Sequence, residues 1–211
     1  MSVHARKRRA ALDRERRREQ IVDAAVEVFA GKGYRAASIA DIIEKAGVAR
    51  GTFYLYFTSK EEAFNAVLDR FHARYRAMAA RETARNYKNP IGLEKRLRAS
   101  LLEWLRFLLE DPKLTTIVFR QAAAVDPDYE EKYLEILRAA QAHSIKAIRF
   151  LQTIRVLRAD LDPGFLNAVF YGTTMQIVLR AIADSRAPDL EAIADQWIRL
   201  LRAGVLRARA K

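Results

Sequence analysis

Apolar residues along this chain recur at the spacing of an α-helix, and no run alternates apolar and polar positions between turn signals. The clearest stripe lies near the N-terminus, where apolar residues recur on one helical face. Its members are Ile21, Ala24, Ala25, Val28 and Phe29. The same periodicity returns along the rest of the chain, and we therefore expect an all-α fold.

Glycines and capping residues divide the N-terminal part into separate helices. The first predicted helix, 16–30, ends at Gly31-Lys32-Gly33, because glycine accepts the left-handed conformation that ends helices. Ser38 and Asp41 have the spacing of a capping box, which predicts that a short helix begins there. Gly47 ends this helix in the same way.

The following segment continues the helical pattern. A short helix is predicted over 50–57, and a second capping box, Ser59 with Glu62, begins a long helix that reaches about residue 84. Four of the later helices begin at a proline and the fifth begins just after one, which suits the first helical turn. The later helices are predicted over 91–110, 112–123, 127–157, 163–184 and 188–206, and the third of them can break near Thr153.

The composition adds a strong positive charge. The chain has 38 Lys and Arg residues against 26 Asp and Glu residues, which gives a formal net charge of +12 and a pI of about 10.2. This charge favours a polyanionic partner, either nucleic acid or an acidic membrane surface, but a solvated arginine-rich surface explains it equally well. Residues 1–18 are rich in charge and are predicted to form a flexible, basic arm.

Several classes of protein find no support in the sequence. The chain has no cysteine, which excludes disulfides, thiolate zinc sites and cysteine nucleophiles. His4, His72 and His143 lie far apart, so we expect no metal site, and we expect no cofactor. No catalytic motif such as G-x-S-x-G or H-E-x-x-H occurs, and the chain is not expected to be an enzyme. Without a signal peptide or a membrane-length apolar run, a soluble, cytoplasmic protein with no membrane partner is expected.

The two short helices around Gly47 have the design of a helix-turn-helix, whose second helix enters the major groove of DNA. Val48, Phe53 and Phe57 share the face that packs inward. Arg50, Thr52, Tyr54 and Tyr56 are left facing outward, and Gly51 keeps the start of the helix slim enough for a close approach. Ser38 and Lys60 are candidate phosphate contacts, because Ser38 begins a helix and Lys60 lies in the first turn of the next one.

The segment from about residue 19 to 64 resembles the TetR (tetracycline-repressor, also TetR/AcrR) family. The resemblance rests on Gly31-Lys32-Gly33-Tyr34, on Val48-Ala49-Arg50-Gly51-Thr52-Phe53-Tyr54-Leu55-Tyr56-Phe57 and on Ser59-Lys60-Glu61-Glu62. It implies a three-helix DNA-binding domain (19–65), a ligand-binding and dimerisation domain (66–211) and repression relieved by a small molecule. The family's DNA contacts carry over to Ser38, Arg50, Thr52, Tyr54, Tyr56 and Lys60.

Three positions depart from the usual family pattern. Ala37 stands in place of threonine, and Ile43 stands in place of alanine, which is expected to shift the helix packing slightly. Ala49 stands in place of the serine that caps the recognition helix. The absence of that serine is expected to cost ~1 kcal/mol of helix stability. None of these changes removes a candidate DNA contact.

Aromatic and apolar residues in the C-terminal part suggest an effector pocket, although aromatic residues at helical spacing usually form core. The candidate pocket residues are Trp104, Phe107, Phe119, Arg120, Tyr171 and Met175. Arg120 and Gln121, after an apolar stretch, weakly resemble the fatty-acid regulators of the family that respond to acyl-CoA. An elongated hydrophobic ligand with an anionic end, with acyl-CoA as the first candidate, is therefore expected, and hydrophobic drugs are the alternative.

The last two predicted helices carry apolar stripes that a second subunit can cover. The candidate interface residues are Leu166, Phe170, Ile193, Trp197, Leu200 and Leu201. A four-helix interface in a C2 homodimer is expected, with Trp197 as its anchor. Burial of both stripes inside one subunit is the alternative.

These features together predict a DNA-binding transcriptional repressor that a small hydrophobic effector releases from a palindromic operator. A non-specific architectural protein that binds nucleic acid remains open, and it predicts little preference among DNA sequences. An enzyme on a helical scaffold is the third class, for which the sequence offers no catalytic constellation.

Overall fold

The computed structural model describes residues 3–83, 92–121, 138, 141–142 and 144–205, which form helices and connecting turns. The expectation of an all-α fold is confirmed. The helices, in chain order, are α1 (Val3–Lys32), α2 (Ile39–Ala46), α3 (Arg50–Tyr54), α4 (Lys60–Thr83), α5 (Leu93–Glu110), α6 (Pro112–Thr116), α7 (described continuously over residues 144–153), α8 (Pro163–Ala183) and α9 (Leu190–Leu200). Wider π-helical turns continue α6 over Ile117–Gln121 and α9 over Leu201–Val205.

The contacts within the chain divide the described residues into two compact units. The first contains residues up to 74 and the segment that begins at 113, and the second contains residues 75–112 and the later helices. None of the described helices is both long enough and apolar enough to span a bilayer.

The first unit packs around large apolar side chains supplied by α1, α2, α3 and α4. The Phe29 and Phe64 rings meet edge to face with their centroids 5.2 Å apart, a favourable aromatic geometry. The fully or almost fully buried side chains of this core include Ile21, Phe29, Ile42, Phe53, Phe57, Phe64 and Val67. The stripe predicted from the sequence therefore faces this core.

The start of α1 differs from the sequence prediction. The helix begins at Val3 rather than near residue 16, so the described part of the predicted flexible arm continues α1. Arginine, alanine, leucine and glutamate favour helices intrinsically, and Asp13 and Arg17 are spaced for an i,i+4 attraction. The side chains of residues 6–17 are exposed, so these local preferences, rather than packing, explain the extension.

The second unit is built on contacts of α5 with α8 and α9. Leu105 and Leu108 of α5, Val178 of α8 and Ala194 of α9 are fully buried. The carboxylates of Asp162 and Asp189 accept backbone N–H groups in the first turns of α8 and α9, at 2.8 and 3.0 Å. These caps fix the starts of the two helices that were predicted to form a dimer interface.

A smaller apolar cluster holds the end of α7. It joins Leu93, Leu151 and Leu157, with Ile154 packed against them. The break predicted near Thr153 is confirmed, because the helix ends there and Arg155 adopts a left-handed backbone with φ of 58°. The predicted start of this helix lies outside the described residues.

Candidate nucleic-acid interface

The start of α2 is fixed by a closed set of hydrogen bonds. The Ser38 hydroxyl accepts the Asp41 backbone N–H at 3.2 Å, and the Asp41 carboxylate accepts the Ser38 backbone N–H at 2.9 Å, which confirms the predicted capping box. The ammonium group of Lys32, at the end of α1, lies 2.6 Å from the same carboxylate. Its hydrogen bond, followed by those from Ser38, lowers the pKa of Asp41 to about 2. Ser38 itself is exposed, as a phosphate contact must be.

The turn between α2 and α3 follows from one glycine. Gly47 has φ of 62°, a left-handed conformation that side chains rarely adopt. Its N–H bonds to the Glu44 carbonyl at 3.1 Å, and the Val48 N–H bonds to the Ile43 carbonyl at 3.3 Å. This Schellman arrangement satisfies the last carbonyls of α2 and sets the direction in which α3 leaves.

The short helix α3 presents one buried and one exposed face. Phe53 is fully buried, and its ring lies 5.8 Å from that of Phe57, which is 2% exposed. Arg50 is exposed and Tyr54 is 42% exposed, and the Arg50 guanidinium lies 5.8 Å from the centre of the Tyr54 ring. The structure therefore places these two side chains side by side on the outward face, as the sequence predicts.

The remaining positions of this segment are more varied. Thr52 and Tyr56 are half-buried, and Gly51 is exposed with open space where a β-carbon would stand. Packing within the chain therefore does not require glycine at position 51. Ala49, at the start of α3, provides no side-chain cap, as predicted from the missing serine.

Lys60 has partners that the sequence did not reveal. Its ammonium group donates to the main-chain oxygens of Tyr34 and Ala37, both at 2.9 Å, and lies 4.3 Å from the centre of the Tyr34 ring. The Tyr34 hydroxyl in turn donates to Glu61 at 2.8 Å. The pKa of Glu61 is lowered, first by its own backbone N–H and then by this hydroxyl. Two of the three ammonium donors of Lys60 are thus used inside the protein, which leaves one for a phosphate.

Polar contacts also hold α1 against the other helices of the first unit. The Gln20 side chain donates to the Ala46 carbonyl at the end of α2 at 2.7 Å. Arg70 of α4 lies 2.6 Å from both Glu19 and Asp23 of α1. Sequence analysis missed these residues, because their partners are 26 to 51 positions away and no short motif contains both.

The predicted pocket residues fall into different surroundings. Trp104 lies beside Phe107 and Tyr171 in the second unit, with ring centroids 5.8 and 6.4 Å away, and Met175 is buried in the same unit. In the first unit, Phe119 packs edge to face on Phe71 at 5.6 Å, and the Arg120 side chain is exposed. The described contacts thus bring Trp104, Phe107 and Tyr171 together, and Phe119 contacts a different cluster.

The predicted interface residues differ in exposure. Trp197 is only 8% exposed within the single chain, where it meets the Phe170 ring at 5.5 Å, whereas Leu200 is 54% exposed. Leu166, Phe170, Ile193 and Leu201 are half-buried. Phe165, which was not among the predicted interface residues, is 60% exposed on α8.

A family model described as bacterial regulatory proteins of the tetR family matches residues 21–67. The chain is 33% identical over 193 residues to ArpR, a probable HTH-type transcriptional regulator of Pseudomonas putida, and the match covers 90% of this chain and 92% of ArpR. It is 34% identical over 102 residues to YdgC, an HTH-type transcriptional regulator of Bacillus subtilis (strain 168). That match covers about half of each protein, 48% of this chain and 52% of YdgC.

The fold is also similar to solved structures. The regulator FadR from Bacillus subtilis, in a crystal structure with stearoyl-CoA, superposes with a TM-score of 0.72 at 24% identity. The match covers 88% of this chain and 98% of the FadR chain. At this identity the likeness shows that the two chains share a fold.

Proposed function

Because this chain belongs to the tetR family of bacterial regulatory proteins, we propose that it is a cytoplasmic, dimeric regulator of transcription that binds a palindromic operator through α3. The observation that carries this proposal is the outward face of α3. Arg50 and Tyr54 are exposed there, while Phe53 is buried and anchors the helix in the core. An exposed arginine at the start of a short helix suits a bidentate contact with a guanine in the major groove.

The surroundings of α3 support the same contact. Gly51 leaves open space beside Arg50, which allows the DNA backbone or a base edge to approach the helix closely. Ser38 is exposed at the start of α2, where helix amides are suitable donors to a phosphate. Its hydroxyl donates to the Asp41 carboxylate at 2.9 Å and has to turn away from that carboxylate to donate to a phosphate. The capping box already holds the Ser38 hydroxyl oxygen in place in the DNA-free protein, so little conformational entropy is lost when DNA binds.

The proposed dimer places two copies of α3 on successive major grooves, about 34–36 Å apart. Exposed apolar side chains on α8 and α9, namely Phe165, Val169 and Leu200, support an interface there. Small exposed apolar patches are ordinary on protein surfaces, so membership of the tetR family is the stronger support for a dimer.

The proposal is tested by selecting operators from random DNA with the purified full-length protein. We expect a palindromic consensus whose half-sites are one helical turn apart. The matched comparison is Arg50→Ala against Arg149→Ala, an exposed arginine on α7 outside the proposed interface, and only the former should lose the consensus. Similar affinity for selected and random DNA would instead support an architectural nucleic-acid-binding protein.

A small hydrophobic effector is proposed to bind the second unit and to release the operator. The cluster of Trp104, Phe107 and Tyr171 supports this location, and the stearoyl-CoA complex of FadR makes acyl-CoA the first candidate. Thermal shift with acyl-CoAs, fatty acids and hydrophobic drugs tests it, because a ligand that binds only the folded state raises its stability. No shift with any acyl-CoA up to high micromolar concentration would reject that candidate.

A further inference from the structure

The described part of the second unit contains a buried hydrogen-bond donor that meets no acceptor there. The indole nitrogen of Trp104 on α5 is shielded from solvent, and no acceptor within the described part of the chain lies in hydrogen-bonding reach. Buried N–H groups of this kind are rare in native proteins, because leaving one unpaired costs free energy. The indole N–H is the one polar group of a tryptophan side chain, so no other atom of Trp104 can make a hydrogen bond in its place.

The surroundings of this donor are aromatic. Tyr75 meets the Trp104 ring edge to face at 6.1 Å, Phe107 stacks on it at 5.8 Å, and Tyr171 of α8 lies at 6.4 Å. These three distances lie in the upper half of the range of about 4.5–7 Å between ring centroids that is favourable for aromatic pairs. Burial raises the pKa of the Tyr75 hydroxyl, which is in keeping with a low-polarity environment at this cluster.

An open cleft begins at the edge of the same cluster. It has a volume of about 200 Å³, and Phe107 belongs both to its lining and to the aromatic cluster. The charges of its lining balance, because it contains two arginines, Arg81 and Arg106, and two carboxylates, Glu103 and Glu110. Both arginines are paired, since Arg81 lies 3.2 Å from Glu103 and Arg106 lies 3.0 Å from Glu191 outside the lining. A bound anion would have to compete with these carboxylates, whereas an uncharged polar group would leave both ion pairs intact.

From this arrangement we infer that the Trp104 N–H donates a hydrogen bond to an uncharged carbonyl oxygen of a hydrophobic ligand. This inference rests on the effector site proposed above and names the chemistry that the site recognises. The aromatic rings bind the apolar body of the ligand, and the buried N–H selects ligands with a ketone, ester, amide or thioester carbonyl. A hydrogen bond in a shielded site discriminates strongly against an analogue without the acceptor, because the donor then stays unpaired.

The experiment uses a matched pair of probes that differ only at the carbonyl. Palmitoyl-CoA carries a thioester carbonyl, and S-hexadecyl-CoA is the corresponding thioether with a methylene group in its place. A second pair, 2-undecanone and undecane, repeats the comparison without coenzyme A. The full-length protein is labelled with ¹⁵N-tryptophan, and its two indole signals, from Trp104 and Trp197, are assigned with the Trp104→Phe variant.

We expect a carbonyl-bearing probe of at least one pair to move the Trp104 indole proton downfield, and its matched partner to leave that shift unchanged. The Trp197 signal serves as an internal control. In Trp104→Phe, affinity for the carbonyl-bearing probe should fall about tenfold, the value of one hydrogen bond in a shielded site. Affinity for the matched partner should stay within about twofold, since apolar contact is largely retained.

A replacement that keeps the ring shape guards against a packing artefact. Incorporation of β-(3-benzothienyl)alanine at position 104 alone replaces the indole N–H by sulfur. This variant should show the same loss of affinity for the carbonyl-bearing probe as Trp104→Phe. A Trp104 signal already at the hydrogen-bonded position without ligand would show that water or another part of the protein satisfies the donor, and would overturn the inference. Absence of a downfield shift with both carbonyl-bearing probes would overturn it as well.

The outcome separates this inference from the proposed function. If palmitoyl-CoA released the operator without moving the Trp104 signal, the inference would fail and the regulatory function would stand. If the signal moved as expected but no probe released DNA, the binding chemistry would stand and the proposed effector response would fail.

Discussion

The ammonium group of Lys60 donates a hydrogen bond to the main-chain oxygen of Ala37, 2.9 Å away, at the residue directly before the serine that caps α2. A second bond, to the Tyr34 oxygen, completes a bridge between the first turn of α4 and the segment that leads from α1 to α2. A residue that the sequence presents as a phosphate contact is therefore also a brace for Ser38, the neighbouring candidate contact.

Replacement of Lys60 by methionine should destabilise the DNA-free protein. The change keeps most of the apolar stem but leaves two carbonyl oxygens without the ammonium donor, so we expect a loss of ~1 kcal/mol in the free energy of unfolding. Urea denaturation measures it. Exposed Lys45, replaced in the same way, is the control and should cost little.

Salt titration of operator binding then measures the other role of Lys60. A phosphate contact should lower the slope of log affinity against log salt by ~1 in Lys60→Met. An unchanged slope together with lower stability would assign Lys60 to bracing alone.

Arg50→Ala should weaken specific binding by ~1–3 kcal/mol and relax the preference at one base pair of each half-site. The guanidinium is exposed beside Tyr54 and makes no contact that the fold of the first unit depends on, so the thermal stability should stay unchanged. Fluorescence anisotropy with the selected operator and single-base variants measures the effect. An equal loss on every DNA sequence would make Arg50 a phosphate contact instead.

Acid should remove the contribution of Asp41 to stability within a defined pH range. The pKa of Asp41 in the folded protein is about 2, below its ordinary value of 3.8, so the stabilisation is fully present above pH 3.8 and is lost as the pH falls toward 2. Asp41→Asn keeps an acceptor oxygen but loses the charge that attracts Lys32.

The difference in melting temperature between wild type and Asp41→Asn is the quantity to follow. We expect it to be largest at neutral pH and to shrink between pH 4 and 2. A difference that does not change over this range would show that the charge of Asp41 contributes nothing to folding.

The basic start of α1 should contribute affinity without sequence preference. Residues 3–18 contain eight Lys and Arg residues and two carboxylates, and the side chains of residues 6–17 are exposed. Deletion of residues 2–12 should therefore flatten the salt dependence of DNA binding, because fewer counterions are released. The same slope in the shortened protein would show that this helical extension does not touch DNA.

Leu200→Glu is a sharper test of the dimer than a change at Trp197. Leu200 is 54% exposed in the single chain, so the new carboxylate should leave the subunit folded while it disrupts an apolar interface. Trp197 is buried against Phe170, and Trp197→Glu should unfold the subunit instead. Light scattering and circular dichroism distinguish the two results. Leu200→Glu that remains dimeric would place the interface elsewhere.

The local features of the DNA-binding segment could be predicted from the sequence. The capping box of Ser38 and Asp41 and the turn at Gly47 depend on residues within a few positions of one another, so short-range rules suffice. The same holds for the shared face of Arg50 and Tyr54, because residues four positions apart lie on the same side of a helix. The missing cap at Ala49 follows from one residue type.

The tertiary structure decided the contacts between distant positions. Lys60 finds its carbonyl partners 23 and 26 residues away, and Trp197 turns inward onto Phe170 although its stripe suited a partner subunit equally well. Periodicity states which residues share a face of a helix, but not what that face packs against. The Trp104 N–H, which meets no acceptor among the described residues, depends on the same information, since whether a donor meets an acceptor is settled only when helices remote in sequence come together.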